Sequence, residues 1–126
     1  MEQLIKAMMQ LIKSETCNEP LDKSALPDLT GGFLRELYII SKAQDVAHLV
    51  GNALDKNKLL SEDAVAAAYR EQVFTAVYRY ERLNFSYNQV CETLEKAKIR
   101  FVPLKGVIIR DYYPEPWLRT SCDIDI

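Results

Sequence analysis

A 3.5-residue repeat of apolar side chains in the middle of the chain constrains its fold more than any other feature. It begins after Ser61 and lasts for about four heptads, with gaps of three and four residues in alternation. Its members are Ala66, Tyr69, Val73, Ala76, Tyr80, Leu83, Tyr87, Val90 and Leu94. Further apolar residues widen the stripe beyond a narrow coiled-coil seam. The pattern predicts one long helix, with Ser61 as its N-cap, that packs within a helical bundle.

Shorter helices are predicted ahead of the long one. Apolar residues at helical spacing predict an amphipathic helix over residues 2–13 and a second helix over residues 33–43. Asp45 is a candidate cap for a third helix that reaches Leu54, although a second helix that simply continues fits the same pattern. Residues 14–27 are polar and interrupted by proline, which predicts a loop.

Several residues that are able to carry chemistry lie on these helices, and we interpret them as structural. The only histidine, His48, is predicted to lie near the core rather than to act as a base or a ligand. The tyrosines of the long stripe are predicted to fill the core, with their hydroxyls at its edge, rather than to stack on a nucleobase. The charged residues of the long helix are predicted to form a solvated face: Arg70, Glu71, Arg79, Glu81 and Arg82.

Composition bounds the class of protein. At 126 residues, with 48% apolar and 27% charged residues, the chain fits one globular domain with its own core. A net charge of −2 provides no overall basic field, so charge does not indicate a nucleic-acid partner. Cys17, Cys91 and Cys122 lack metal-site spacing, which favours a reducing cytoplasmic compartment. We see no secretory signal and no apolar run long enough for a membrane span.

The last quarter of the chain carries the chemistry. The apolar run Phe101–Leu104 predicts a strand, although Pro103 lacks an N–H and restricts it to a sheet edge or to a strand end. A Lys105-Gly106 step follows, and then a short helix over residues 106–113 that prolines terminate. The closing residues 122–126 predict a second strand, whose alternation places two aspartates on one face.

These two aspartates, Asp123 and Asp125, are candidate metal ligands. Carboxylates two residues apart on a strand stand about 7 Å apart at the backbone, so their side chains can converge on one or two hard cations. Magnesium prefers oxygen ligands and usually completes its shell with water and substrate phosphates. Gly106 lets the backbone approach a ligand closely and is predicted to place a helix N-terminus towards an anion. Together these features predict phosphate chemistry that depends on a metal.

The same residues resemble a known family. The motifs are Pro103-Leu104-Lys105-Gly106, Tyr112-Tyr113-Pro114, Pro116, Arg119 and Asp123-Ile124-Asp125. They resemble the signature of the uncharacterised nucleotidyltransferase family, a branch of the polymerase-beta-like superfamily, closely over roughly the last 25 residues. The preceding helical region, including residues 45–49, resembles that family only loosely.

The resemblance implies an α+β fold that is predominantly helical. A helical bundle over residues 1–98 would lead into the first strands of a nucleotidyltransferase-like sheet over residues 99–126, with the two regions forming one structural unit. In the superfamily a glycine-containing turn holds the triphosphate, and the Asp-x-Asp pair binds two magnesium ions. Lys105, Gly106 and Arg119 would therefore bind the phosphates, and Asp123 and Asp125 would be the catalytic metal ligands.

The activity that the resemblance implies is transfer of a nucleotidyl group from a nucleoside triphosphate to an acceptor hydroxyl that the sequence does not identify. Superfamily members commonly have a Gly-Ser turn where this chain has Lys105-Gly106. They also use a third carboxylate from a later strand, and Asp111 and Glu115 lie in the wrong place for it. We therefore expect the 126 residues to be the N-terminal part of a longer enzyme and to be inactive alone.

A second hypothesis comes from a different functional class. The long helix would bind a partner as a non-catalytic interaction module, and the aspartates would be merely structural. In either case, an open sheet edge or a helical face would provide a surface for self-association.

Overall fold

The computed structural model describes residues 1–126 and contains five α-helices. They are α1 (Glu2–Thr16), α2 (Gly31–Ala43), α3 (Ala47–Lys56), α4 (Ala64–Lys96) and α5 (Gly106–Ile109). Short 3-10 helices span Lys23–Ala25, Arg110–Tyr112 and Pro116–Leu118. The chain divides into two compact units, the N-terminal unit Met1–Phe74 and the C-terminal unit Thr75–Ile126, and α4 contributes residues to both. The functional boundary expected between residues 98 and 99 stays a prediction.

The N-terminal unit is a helical bundle around one apolar cluster. Helix α1 packs against α2 and α3, and the start of α4 completes the cluster. Its buried members are Leu4, Met8, Leu11, Leu34, Leu37, Val50, Ala53, Leu54 and Tyr69. A Cβ atom added to Gly51 would lie 3.0 Å from the Cβ of Tyr69, so only glycine permits this approach of α3 to α4. The predicted long helix is confirmed, and its start packs in the bundle through Tyr69.

Polar side chains fix where two of the helices begin. The Thr30 hydroxyl accepts a hydrogen bond of 3.2 Å from the Phe33 N–H at the start of α2. At the start of α4, the Asp63 carboxylate accepts one of 2.9 Å from the Ala66 N–H, and this bond lowers the pKa of Asp63. The prediction that Ser61 is the cap was wrong, because the Ser61 hydroxyl donates to Asp63 instead.

The link between α2 and α3 also differs from the prediction. Asp45 adopts a left-handed backbone conformation, with φ of 56°, and therefore lies in the turn that separates the two helices. Val46 occupies the N-cap position of α3 and makes no side-chain cap hydrogen bond. His48 is buried within α3, in agreement with its interpretation as a core residue.

The predicted sheet is absent, and the α+β fold class was wrong. The described chain is all-helical, and the two segments expected to be strands oppose each other at one isolated antiparallel bridge between Leu104 and Asp125. A ladder requires successive paired N–H and C=O groups, and here only the Leu104 N–H and the Asp125 carbonyl oxygen meet. The apolar run at residues 101–104 and the alternation at residues 122–126 were therefore wrongly predicted to be strands.

The α-helix that begins at Gly106 is shorter than the predicted helix over residues 106–113. Helix α5 ends at Ile109 and continues as the 3-10 turn Arg110–Tyr112.

The cysteines are free thiols. None of the helices combines the length and the apolar character needed to cross a membrane.

Candidate functional site

The backbone brings the two ends of the candidate site together in the C-terminal unit. The Leu104 N–H donates a hydrogen bond of 2.9 Å to the Asp125 carbonyl oxygen. Because Leu104 immediately precedes Lys105 and Gly106, this one bond holds the closing aspartate beside the glycine turn. The approach that a sheet was expected to produce is thus achieved by a single bridge.

The five residues predicted to bind phosphate or metal line one cleft. Its volume is about 320 Å³, and its wall comprises Lys105, Gly106, Arg119, Thr120, Ser121, Cys122, Asp123 and Asp125. The predicted phosphate-binding residues and the predicted metal ligands therefore share one surface, although their roles stay predictions. Asp111 and Glu115 do not line this cleft.

The two aspartates differ in their surroundings. Asp123 is exposed, whereas the Asp125 side chain is 33% exposed and its Oδ2 lies 3.3 Å from the Lys105 Nζ. The Lys105 ammonium itself is largely in solvent. Lys105 is therefore free to exchange its partner if a stronger cation approaches Asp125.

Lys105 adopts a backbone conformation that usually belongs to glycine. Its φ is 49° and its ψ is −118°, where a Cβ atom is crowded by the backbone. Its carbonyl oxygen accepts hydrogen bonds from the N–H groups of Ile108 and Ile109, at 3.1 and 2.9 Å. Such conformations cost about 1–3 kcal/mol and cluster at binding sites, so the strained residue lies where function is expected.

Gly106 is packed beneath the Arg119 side chain. A Cβ atom at this position would lie 2.7 Å from the Ser121 Oγ and 2.8 Å from the Arg119 Nη1. These two groups share a hydrogen bond of 2.7 Å in which the guanidinium donates to the hydroxyl. The absence of a side chain at Gly106 therefore allows Arg119 to lie over the turn.

Sequence reasoning missed Arg110, which is 6% exposed. Its Nη2 donates to the Asn84 Oδ1 at 2.8 Å, and its guanidinium carbon lies 5.1 and 5.7 Å from the ring centroids of Tyr80 and Tyr87. Its Nε and Nη1 have no hydrogen-bond partner. The spacing of Tyr80, Asn84 and Tyr87 on one face of α4 was the available signal, but only Tyr80 and Tyr87 were interpreted, as core residues.

The donor set of the cleft fits a particular kind of metal site. Two carboxylates are present, and the chain contains no group of three or more histidine, cysteine, aspartate or glutamate side chains that could hold a metal ion. Magnesium is commonly held by one or two carboxylates, with water and substrate phosphates as its other ligands. Asp123 and Asp125 therefore fit a magnesium ion shared with a phosphate ligand, but not a closed metal centre.

Comparison with known proteins gives one match. The model of the family described as uncharacterised nucleotidyltransferase matches residues 34–126, and this range contains both α4 and the whole cleft. None of the proteins with curated descriptions matches the chain, and none of the solved structures does. Because the family model covers most of the chain, the protein belongs to the uncharacterised nucleotidyltransferase family, and membership supports a nucleotidyltransferase function in general terms.

Proposed function

We propose that this chain carries the nucleotide-binding site of a metal-dependent nucleotidyltransferase. The supporting observation is that Asp123, Asp125, Lys105, Gly106 and Arg119 line one cleft. The cleft thus combines hard oxygen ligands with cations and a close backbone approach, which are the groups that a magnesium–triphosphate complex requires. The substrates are a nucleoside triphosphate and an acceptor that carries a hydroxyl group.

The reaction is an in-line displacement at the α-phosphorus of the nucleotide. The acceptor oxygen forms a bond to this phosphorus, its proton passes to solvent, and pyrophosphate leaves with the electron pair of the broken P–O bond. Asp123 and Asp125 would hold one or two magnesium ions, which would supply stabilisation of the charge that develops on the reacting oxygens. Lys105 and Arg119 position the phosphates and compensate the charge that develops on them.

The ion pair between Lys105 and Asp125 gives the cleft a simple response to its ligand. In this structure the ammonium lies 3.3 Å from the carboxylate. If Asp125 held a divalent cation, it would release this ammonium, and the long Lys105 side chain would then reach phosphates bound in the cleft. One lysine therefore neutralises the carboxylate before binding and the phosphates afterwards.

The experiment that tests this function measures binding. Each ribonucleoside triphosphate is titrated calorimetrically into the full chain with and without magnesium chloride. We expect magnesium-dependent binding of at least one triphosphate, weakened about tenfold in Asp123→Asn and in Asp125→Asn, because each change removes an anionic metal ligand.

The matched control is Asp111→Asn. It makes the same change of charge in the same unit on an exposed aspartate outside the cleft. If Asp111→Asn weakens binding as much as Asp125→Asn does, the effect is one of overall charge and the assignment of the metal ligands is wrong. If no triphosphate binds the wild-type chain in a magnesium-dependent way, the proposed function itself is contradicted.

Gly106→Ala probes the phosphate side of the same cleft. The added methyl group displaces the Arg119 guanidinium and the Ser121 hydroxyl, so we expect magnesium–triphosphate binding to weaken several-fold. The free energy of unfolding should change by less than about 1 kcal/mol, because the lost hydrogen bond is offset by the better helix propensity of alanine.

Gly31→Ala is the matched control, because it also opens a helix and its Cβ would meet no atom within 4 Å. It should leave binding unchanged. Unaltered binding by Gly106→Ala would show that the position of Arg119 does not matter for the phosphates.

The non-catalytic interaction module is the second candidate, and one observation favours it. The C-terminal unit leaves many large apolar side chains in solvent: Phe85, Val90, Ile99, Val102, Leu104, Ile108, Ile109, Tyr112 and Ile126. Sedimentation velocity over a range of concentrations distinguishes the candidates. A mass that rises with concentration, in a chain that binds no magnesium–triphosphate, supports the module instead of the enzyme.

A further inference from the structure

A second cleft lies in the C-terminal unit and meets the first. We call it the arginine groove, and its volume is about 620 Å³. One wall is a face of α4 formed by Thr75, Arg79, Arg82 and Ser86, whose spacing of four, three and four residues places them on one side of the helix. The groove reaches the candidate metal cleft at Ser121 and Cys122, which line both.

The groove is strongly cationic. A small cavity beside it is lined by Arg79 and Ser121, as the groove is, and also by Arg110 and Arg119. Four guanidinium groups, those of Arg79, Arg82, Arg110 and Arg119, therefore surround this one region, and no aspartate or glutamate lines either space. The salt bridges of the unit join Lys96 to Glu92 and Lys105 to Asp125, so none of these arginines is in an ion pair.

Arg110 provides an independent sign that an anion belongs here. It is 6% exposed and lines the small cavity, yet its Nε and Nη1 have no hydrogen-bond partner. Burying a guanidinium with unpaired donors is costly, and the two tyrosine rings against it offset only part of that cost. An anion in the adjoining groove reduces the cost through its field.

We propose that the arginine groove binds the phosphate group of a small phosphorylated acceptor. Guanidinium groups match phosphate oxygens through paired N–H donors, and the hydroxyls of Thr75 and Ser86 add neutral donors on the same helix face. The volume suits a phosphorylated small molecule. Because the groove meets the metal cleft at Ser121 and Cys122, a ligand held there lies next to the proposed nucleotide site.

Only the identification of the ligand as the acceptor rests on the proposed function. A triphosphate tail that extends from the metal cleft would present the same phosphate chemistry to the groove. Binding of a phosphorylated compound without magnesium or nucleotide therefore tests the groove by itself, and nucleotide binding by the arginine variants then identifies the source of the phosphate.

The first arm titrates the full chain with ribose 5-phosphate, ribose and inorganic phosphate, at low ionic strength, in the absence of magnesium and nucleotide. We expect the two phosphate compounds to bind and ribose not to bind. Arg79→Gln and Arg82→Gln should each weaken ribose 5-phosphate binding about tenfold, because each removes one charge-assisted contact.

Arg100→Gln is the matched control, because Arg100 is an exposed arginine of the same unit that lines neither space. It should change the affinity for ribose 5-phosphate less than twofold. Failure of the phosphate compounds to bind overturns the proposal. So does an equal loss in Arg100→Gln, which would reduce the effect to net charge. Unchanged circular dichroism and melting temperature of each variant exclude misfolding.

The second arm titrates magnesium–ATP. We expect Arg82→Gln to change this affinity less than twofold, and Asp123→Asn to leave ribose 5-phosphate binding intact. A tenfold loss of magnesium–ATP binding in Arg82→Gln would assign the groove to the triphosphate and overturn the acceptor assignment. If no magnesium–ribonucleoside triphosphate binds while ribose 5-phosphate does, the proposed nucleotidyl transfer fails and the phosphate site stands.

Discussion

Replacement of Tyr69 by alanine is expected to lower the free energy of unfolding of the chain by about 3–5 kcal/mol, the range for loss of a large buried aromatic side chain. Tyr69 is fully buried, and its ring meets the Tyr38 ring edge to face at 5.1 Å between centroids. Its position against Gly51 leaves the backbones of α3 and α4 unable to close the gap by moving closer. Urea denaturation followed by circular dichroism at 222 nm measures the effect.

Tyr69→Phe separates the ring from the hydroxyl. The hydroxyl donates a long hydrogen bond of 3.4 Å to the Leu34 carbonyl oxygen, so its removal should cost no more than about 1 kcal/mol. As a control for a tyrosine outside any core, Tyr112→Ala should change stability by less than about 0.5 kcal/mol. If Tyr69→Ala costs as little as Tyr112→Ala, α4 is not part of the core of the N-terminal unit.

The same residue gives stability a dependence on alkaline pH. Burial raises the pKa of the Tyr69 hydroxyl well above its ordinary value of 10.0. The pKa of Tyr69 is higher in the folded chain than in the unfolded chain. The stability that its protonated hydroxyl contributes is therefore fully present below pH 10.0 and is lost as the pH rises towards the folded pKa. The wild-type chain should therefore lose stability above that pH more steeply than Tyr69→Phe does.

Replacement of Arg110 by methionine is expected to raise the free energy of unfolding by about 2 kcal/mol, whereas Tyr69→Ala lowers it. Two unpaired buried donors cost about 1–3 kcal/mol each, and the two cation–π contacts that are lost offset part of this. Methionine fills a similar volume with apolar atoms, and the half-buried Asn84 exchanges its partner for water.

Arg110→Ala and a binding measurement complete this test. Alanine leaves a cavity between the tyrosine rings, so it should be less stable than Arg110→Met by about 2 kcal/mol or more. Arg110→Met should also bind ribose 5-phosphate several-fold more weakly, because a positive charge beside the groove is gone. If methionine destabilises the chain as much as alanine does, the guanidinium is well compensated in the folded protein and marks no anion site.

The helices were predictable because their signal is local. Periodic apolar residues on α4 predicted a long helix, which is confirmed. Of its apolar stripe, Ala66, Tyr69 and Ala76 are buried, whereas Val90 is exposed. The helix starts were less predictable, since Ser61, Asp63 and Asp45 are all acceptable caps by type. Backbone geometry selected Asp63 and placed Asp45 in a left-handed turn.

The sheet was wrongly predicted because strands are not local. An apolar run such as Phe101–Leu104 becomes a strand only if another segment satisfies its backbone groups along its length. Here one residue pair meets, at Leu104 and Asp125. A single bridge nevertheless brings the aspartates to the glycine turn, which is why the predicted site residues share a cleft in the absence of a sheet.

The amino-acid sequence by itself determined which side chains are available for phosphate and metal chemistry, and it determined the helix faces that they occupy. The tertiary structure decided what covers those faces. Arg79 and Arg82 are exposed, as predicted, but they also line a groove because the segment that contains Ser121 and Cys122 lies across from them. Periodicity specifies the side of a helix on which a residue lies, whereas its neighbours across space depend on contacts distant in the chain.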